Sequence, residues 1–286
     1  MQDADSLAKI IFMKKFLLPL FAILLFTACQ KEISMDKASE KIAGVDENKQ
    51  AKISVCHYDA ATGISKTIEI NANALAGHLE HGDLQGDCSA VLTTICHQDW
   101  MIKNLDVDHY RNGDPIPQVT DQSAWMGLET GAWCYYNNDP ANGTIYGKLY
   151  NWQAVNDLRG LAPVGWHIPS NGEWNNLAKC LDHNTNLNIF NQSPIAGGAM
   201  KENGSTHWIY PNTGATNSSG FTGLPGGYRV NSGFDLINKY GLWWSSSERN
   251  ISMGDVWTRV LSYADGYIYS GSNFKFEGHS VRCLRD

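Results

Sequence analysis

The chain has 286 residues, with 22 Lys and Arg against 29 Asp and Glu and a formal net charge of −7. That length can bury a full core, and the mildly acidic balance excludes nucleic acid as the main partner. Trp reaches 10 while Gly and Pro supply 27 and 9 residues, which excludes a helical bundle or a disordered chain and points to a loop-rich, aromatic-rich fold.

The first element in the chain is an address. Lys14 and Lys15 form a short basic region, followed by an apolar run from Phe16 to Phe26 that contains Pro19. Eleven residues are too few for a bilayer span, which needs about 20, so residues 1–28 read as a signal peptide. Met13 is the expected start, because the residues before it include Asp3 and Asp5 and make no basic region. The segment Phe26-Thr27-Ala28-Cys29 resembles a bacterial lipobox, and Cys29 is the expected lipid attachment point; the competing reading is an ordinary signal peptide with an incidental cysteine. Several acyl chains on one residue anchor stably, at about 0.8 kcal/mol per buried CH₂. Gln30-Lys31-Glu32 resembles the signal that sends some lipoproteins to the outer face, which predicts a lipid-anchored, surface-exposed protein of the outer membrane. Residues 29–52 then read as the lipidated cysteine and a disordered tether: positions 30–52 carry 10 charges among 23 residues and no aromatic side chain, too little apolar surface to offset the entropy of ordering.

At Ile53 the texture changes. Ile-Ser-Val-Cys-His-Tyr, the alternating Lys66-Thr-Ile-Glu-Ile-Asn71 and Ala74-Leu-Ala-Gly-His-Leu-Glu-His-Gly-Asp83 predict strand, hairpin, strand and one short helix over 53–88. Two readings of its polar residues compete, with free thiols and solvated histidines as the plainest alternative. Cys56, His57, His78, His81 and Cys88 make a conceivable zinc site, with two histidines at i and i+3 on one helical face. A Cys56–Cys88 disulfide suits an oxidising compartment, where so small a unit cannot hold itself by core burial alone.

Residues 93–286 hold every Trp and 11 of the 12 Tyr. Leu149, Trp152 and Val155 recur at three-residue spacing and predict a helix over 147–156. Ser170 and Glu173 form a capping box ahead of Trp174, Leu177 and Leu181, which predicts a second. Residues 221–230, 242–247, 256–263 and 280–284 read as short strands, with a hairpin turn at Tyr263-Ala-Asp-Gly266. Helices first and an antiparallel sheet later make the fold class α+β.

Seven motifs follow in order: Trp100-Met-Ile-Lys-Asn-Leu105, Tyr146-Gly-Lys-Leu-Tyr-Asn-Trp152, Pro163-Val-Gly-Trp-His-Ile-Pro-Ser170, Glu173-Trp174, Gly220-Phe-Thr-Gly-Leu-Pro-Gly-Gly-Tyr-Arg229, Trp243-Trp-Ser-Ser-Ser-Glu248 and Ser280-Val-Arg-Cys-Leu-Arg-Asp286. Together they resemble the Fibrobacter succinogenes major paralogous domain over residues 93–286. More distantly, their order is similar to the formylglycine-generating-enzyme and C-type-lectin-like superfamily. That likeness implies two helices flanking short antiparallel strands, with long loops gathered on one side. Many relatives carry Cys-Pro before Gly-Trp where this chain has Ala162-Pro163. On that pattern Cys283 lacks its usual partner, Cys134 is the best remaining candidate, and Cys96 and Cys180 are left over.

The resemblance to the enzyme does not carry its chemistry. Copper-dependent oxidation there uses a close pair of cysteines near the C-terminal end, and this chain offers only Cys283, so no catalytic residue is assigned. The sugar-binding tripeptides of calcium-dependent lectins do not occur, and Asn137-Asn-Asp-Pro140 reads as a turn; no cofactor is expected, with calcium and zinc unsupported. Within Glu202–Ser219, Trp208 and Tyr210 offer flat faces beside Asn and Thr and are the candidate ligand-binding residues, Trp208 also being a plausible core residue. Trp125 and Trp133 lie in similar polar surroundings. Arg229 and Arg282 read as buried or half-buried ion-pair residues. The function expected is non-catalytic binding or adhesion at the cell surface, toward a glycan or a protein. The alternatives are structural surface decoration and an enzyme of unknown reaction.

Overall fold

The computed structural model describes residues 51–250 and 254–286. The signal peptide, Cys29 and nearly all of the tether lie outside the described residues. No helix among the described residues is long and apolar enough to cross a membrane.

The N-terminal module begins with β1 (Lys52–Asp59) and β2 (Ile64–Asn71), which pair antiparallel from Lys52↔Asn71 to Asp59↔Ile64. Asp59 closes the turn between them by accepting the Ala61 N–H at 2.9 Å. The chain then forms α1 (Leu75–Glu80), β3 (Leu84–Gln85), which joins the other edge of β1, and α2 (Cys88–Val91). A disulfide joins Cys56 on β1 to Cys88 on α2.

The module continues into a hairpin of β4 (Leu92–Ile95) and β5 (Gln98–Met101). Its two turn residues, Cys96 and His97, both have positive φ, 54° and 66°. A two-residue hairpin of this hand normally recruits Asn-Gly, because side chains other than Gly, Asn and Asp resist that region. Here a disulfide from Cys96 to Cys180 ties the turn to the rest of the domain. Four short elements follow: α3 (Gln122–Met126), β6 (Trp133–Cys134), α4 (Pro140–Tyr146) and β7 (Leu149–Tyr150), with β6 and β7 paired.

The helix expected over 147–156 is only α5 (Trp152–Val155). Asn151 starts it late, its side chain accepting the Ala154 N–H at 3.1 Å, while Leu149 and Tyr150 are drawn into the β6 ladder. The longest described helix is α6 (Asn171–Leu181), which follows β8 (Trp166–His167) and starts at the complete capping box of Ser170 and Glu173. Beyond it come β9 (Asn191–Ser193), α7 (Ala196–Met200), β10 (Gly226–Val230), β11 (Gly233–Ile237), β12 (Tyr240–Asn250), β13 (Asp255–Ser262) and β14 (Ile268–Phe274). They form a six-stranded sheet ordered β11-β10-β12-β13-β14-β9, in which the β10–β12 pair is parallel. The last strand, β15 (Leu284–Arg285), bridges β5 and β8, so the C-terminus closes a second sheet ordered β4-β5-β15-β8. The expected strand at 280–284 is thereby shortened to its end, although Ser280 still bridges Trp243.

The fold is mixed α and β, with several sheets and few helices among the described residues. Its core falls into three clusters. One gathers Trp152, Trp166, Trp244 and Tyr150, a second Trp100, Trp174, Trp208, Phe221 and Trp243, and a third Trp125, Cys134, Tyr136 and Leu149. Cys56 belongs to the first, so the module packs on the main domain's own core. Gly82 of the module accepts the Trp166 indole N–H at 2.9 Å, and the Arg285 guanidinium lies 4.3 Å over the Tyr58 ring.

Buried cations run through this core, and Arg229 and Arg282 are bonded to neutral oxygens rather than ion-paired as expected. The Arg282 Nη1 donates to the carbonyls of Met101 at 2.8 Å and Phe221 at 2.6 Å, and its Nη2 to Asn104 Oδ1 at 2.9 Å. Arg229 donates to the carbonyls of Val119 and Thr120 and to Gln122. Lys201 places its ammonium on the carbonyls of Thr213, Ser262 and Asp265 at 2.9, 2.8 and 2.7 Å. A buried charge is tolerated only when its hydrogen bonds are met, and irregular loops have carbonyls to spare because few of them enter a ladder. The cations thus serve as cross-links for loops. Gly227 shows how close those loops run: its φ is +63°, and a Cβ there would lie 2.5 Å from the Asp235 carbonyl oxygen.

Candidate ligand-binding site

The aromatic pair expected in the 202–219 loop divides. Trp208 is buried, donates its indole N–H to the Gly223 carbonyl at 3.0 Å and packs in the second core cluster, so it is not a platform. The loop around it is pinned down, with Asn212 Nδ2 donating to the carbonyls of Glu202 and Gly204 at 2.9 and 2.6 Å. Asn212, Thr216 and Ser219 satisfy carbonyls that the irregular path leaves open, which lets a polar segment cover a Trp. Tyr210 alone stays outside, 83 % exposed. Trp125 and Trp133 are likewise core residues, with indole N–H groups on the carbonyls of Phe276 and Ile116 at 2.7 and 2.8 Å.

The cysteines also depart from expectation. Cys134 and Cys283 are unpaired and buried in different clusters, Cys134 beside Trp125 and Tyr136, Cys283 beside Trp166 and Trp244, and Cys96 and Cys180 pair instead. Burial pushes the Cys134 thiol up to about 11 and the Cys283 thiol up to about 12. Both are therefore protonated at neutral pH, and a thiol without its thiolate is a poor nucleophile and metal ligand.

In the N-terminal module, Cys56 and Cys88 are spent on their disulfide, so neither is available as a zinc ligand. His57 from β1 and His78 from α1 instead converge on Asp83, their Nδ1 atoms 2.8 and 2.7 Å from one oxygen, Oδ2. The other oxygen accepts the Tyr58 N–H at 2.9 Å. Burial pushes the Asp83 carboxyl up, but the hydrogen bonds from His57, the Tyr58 amide and His78 outweigh it and hold it below its ordinary value. His81 is exposed and takes no part in the cluster. In the supposed calcium stretch, Asp139 caps α4 by accepting the Ala141 N–H at 2.9 Å.

A groove of about 370 Å³ lies where the segment before β9 runs along the edge of β14. The Ser270 N–H donates to the Phe190 carbonyl at 2.7 Å, which holds that segment in place. Leu187, Ile189 and Phe190 are exposed there, Phe190 by 60 %. The Phe190 ring packs at 5.1 Å from Tyr269 and over Gly271, where a Cβ would lie 3.5 Å from the ring. On β13, Trp257 forms the opposite wall, with the Arg249 guanidinium 5.4 Å over its indole. Arg249 is already paired with Asp255 at 2.9 Å. Two aromatic faces, two aliphatic side chains and the neutral donors Asn188 and Ser272 thus share one groove. Sequence reasoning passed over it because Trp257 sits inside an ordinary strand pattern and Phe190 in a short polar loop. Only the side-to-side pairing of β13 and β14 brings the two together.

Residues 93–285 match the Fibrobacter succinogenes major domain. The chain belongs to this family. No curated protein and no solved structure matches it. The residues that mark the major domain here are largely interior ones: Trp100, Trp152, Trp166, Trp174, Trp243, Trp244, Arg229 and Arg282 are all buried. The family's signature in this chain is therefore a signature of its core and its loop cross-links, and the groove beside Trp257 lies outside the motifs.

Proposed function

We propose that this protein is a non-catalytic binding protein of the cell surface, held to the outer membrane through lipid on Cys29, and that its major domain takes a neutral glycan in the groove between Trp257 and Phe190. The observation that carries the proposal is that groove. It sets flat aromatic faces beside uncharged amide and hydroxyl groups on a rigid sheet, whereas the motif residues and both free thiols of the domain are consumed by the core. Aromatic faces accept the C–H side of a sugar ring, and a few placed polar groups orient it. Loops on a rigid scaffold are the usual seat of recognition.

A glycan array with the purified protein tests the reading. Binding of one glycan class that Trp257→Ala abolishes, with the melting temperature unchanged, is the expected result. An array without binders, or binding indifferent to Trp257, would overturn the glycan assignment. Binding of a protein ligand through the same groove would replace it with the protein alternative. The anchor is tested separately: Cys29→Ser should move the chain out of the detergent phase or leave unprocessed precursor.

A further inference from the structure

We propose that His57, His78 and Asp83 form a binding site for a divalent d-block cation of the zinc class, with the imidazole Nδ1 atoms and one carboxylate oxygen as ligands. These three atoms lie within 4.8 Å of one another, and they come from three separate elements: β1, α1 and the turn before β3. Both imidazoles aim the same nitrogen at the same oxygen, their rings 5.7 Å apart and nearly perpendicular at 87°, so the two lone-pair directions cross in front of Asp83. Asp83 is buried, and its second oxygen is fixed by the Tyr58 N–H. A ligating carboxylate held by a backbone donor is the kind of outer support that orients metal ligands.

Two imidazoles and one carboxylate are the donor set for zinc, copper or nickel and not for magnesium or calcium, which take oxygen ligands. A zinc ion about 2.0–2.1 Å from each atom would set the ligands about 3.3 Å apart, so the two nitrogen–oxygen contacts of 2.8 and 2.7 Å open by about half an ångström while the two nitrogens adjust within their 4.8 Å limit. The two histidines are partly exposed, which leaves a path for the ion. On binding, each ring turns the Nδ1 lone pair to the ion and carries its proton on Nε2, so a neutral ring changes tautomer without losing a proton. The disulfide between Cys56 and Cys88 stays intact throughout and supplies no ligand.

Calorimetric titration of the purified full chain with ZnCl2, without reductant, tests the site. One ion per chain is expected, and no uptake of Mg2+ or Ca2+ in the same range. His78→Ala and Asp83→Asn should each weaken zinc by at least about ten-fold, and His81→Ala should leave it unchanged. His78 lies on the surface helix α1, so its variant keeps the test alive if Asp83→Asn does not fold. Failure of the wild-type chain to take up zinc, or uptake that His78→Ala does not alter, would overturn the site.

Discussion

Residues 52–91 and residues 92–286 belong to one compact unit, yet they are held by different forces. In the first segment only Val55, Cys56, Gly82 and Asp83 are fully shielded; order there rests on a disulfide, a carboxylate between two histidines, and contacts borrowed from Trp166 and Arg285. In the second, seven indoles and four cationic side chains are completely buried, each cation bonded to oxygen. A unit of some 40 residues has too much surface for its volume to do otherwise. The larger domain can bury aromatic area, and then meets a different problem, the unpaired carbonyls of its long loops. Arg and Lys solve it with several donors on one side chain.

Four changes break or sharpen this contrast, in falling order of effect. Trp208→Ala removes a buried indole from the second cluster and should lower stability by about 3–5 kcal/mol in urea or thermal unfolding; a loss near zero would mean that the ring is not core. Removing the module's disulfide with Cys56→Ala and Cys88→Ala should cost about 2–4 kcal/mol, the usual range for a native cross-link. Hydrogen exchange and limited proteolysis should show that loss confined to residues 52–91, with the major domain still folding cooperatively. If both regions melt together, the module is part of the main core rather than a dependant of it.

The third change is pH. Glu277 is buried, and burial raises its pKa, but hydrogen bonds from His279, Asn273 and the Phe274 N–H outweigh this and leave it below its ordinary value of 4.5. A carboxylate whose folded pKa is depressed contributes stability above the ordinary value, and that contribution is lost as pH falls through the folded one. Melting temperature should therefore decline below about pH 4.5, and Glu277→Gln should flatten the decline while lowering the plateau. The smallest effect is expected for Tyr210→Ala, within about 0.5 kcal/mol, as for other surface changes that touch no cap or core.

Much of the fold was legible because local signals agreed with packing. The Ser170–Glu173 capping box and the Trp174, Leu177 and Leu181 stripe predicted α6, and the hairpin at residues 263–266 joins β13 to β14 as expected. The helix at 147–156 was misread because apolar residues three apart also arise where a two-residue strand meets a one-turn helix, and Asn151 decides between them through a cap that spacing does not show. The metal-ligand candidates were half legible. His57 and His78 stood out by type, whereas Asp83 looked like an ordinary turn residue until its side chain was placed between them.

What the sequence by itself determined is what depends on residue type and local order: a small cysteine-bearing module, a Trp-rich domain of mixed α and β structure and, through seven ordered motifs, its family. Tertiary structure decided what each of those residues is for. Trp208 and Trp257 are the same side chain, one in a polar loop and one in a strand, yet the loop residue is core and the strand residue walls a groove. Cys96 and Cys283 are both single thiols in sequence, yet one is bridged and the other sealed among indoles. Burial and pairing are properties of positions brought together from distant parts of the chain, and no local pattern reports which partner arrives.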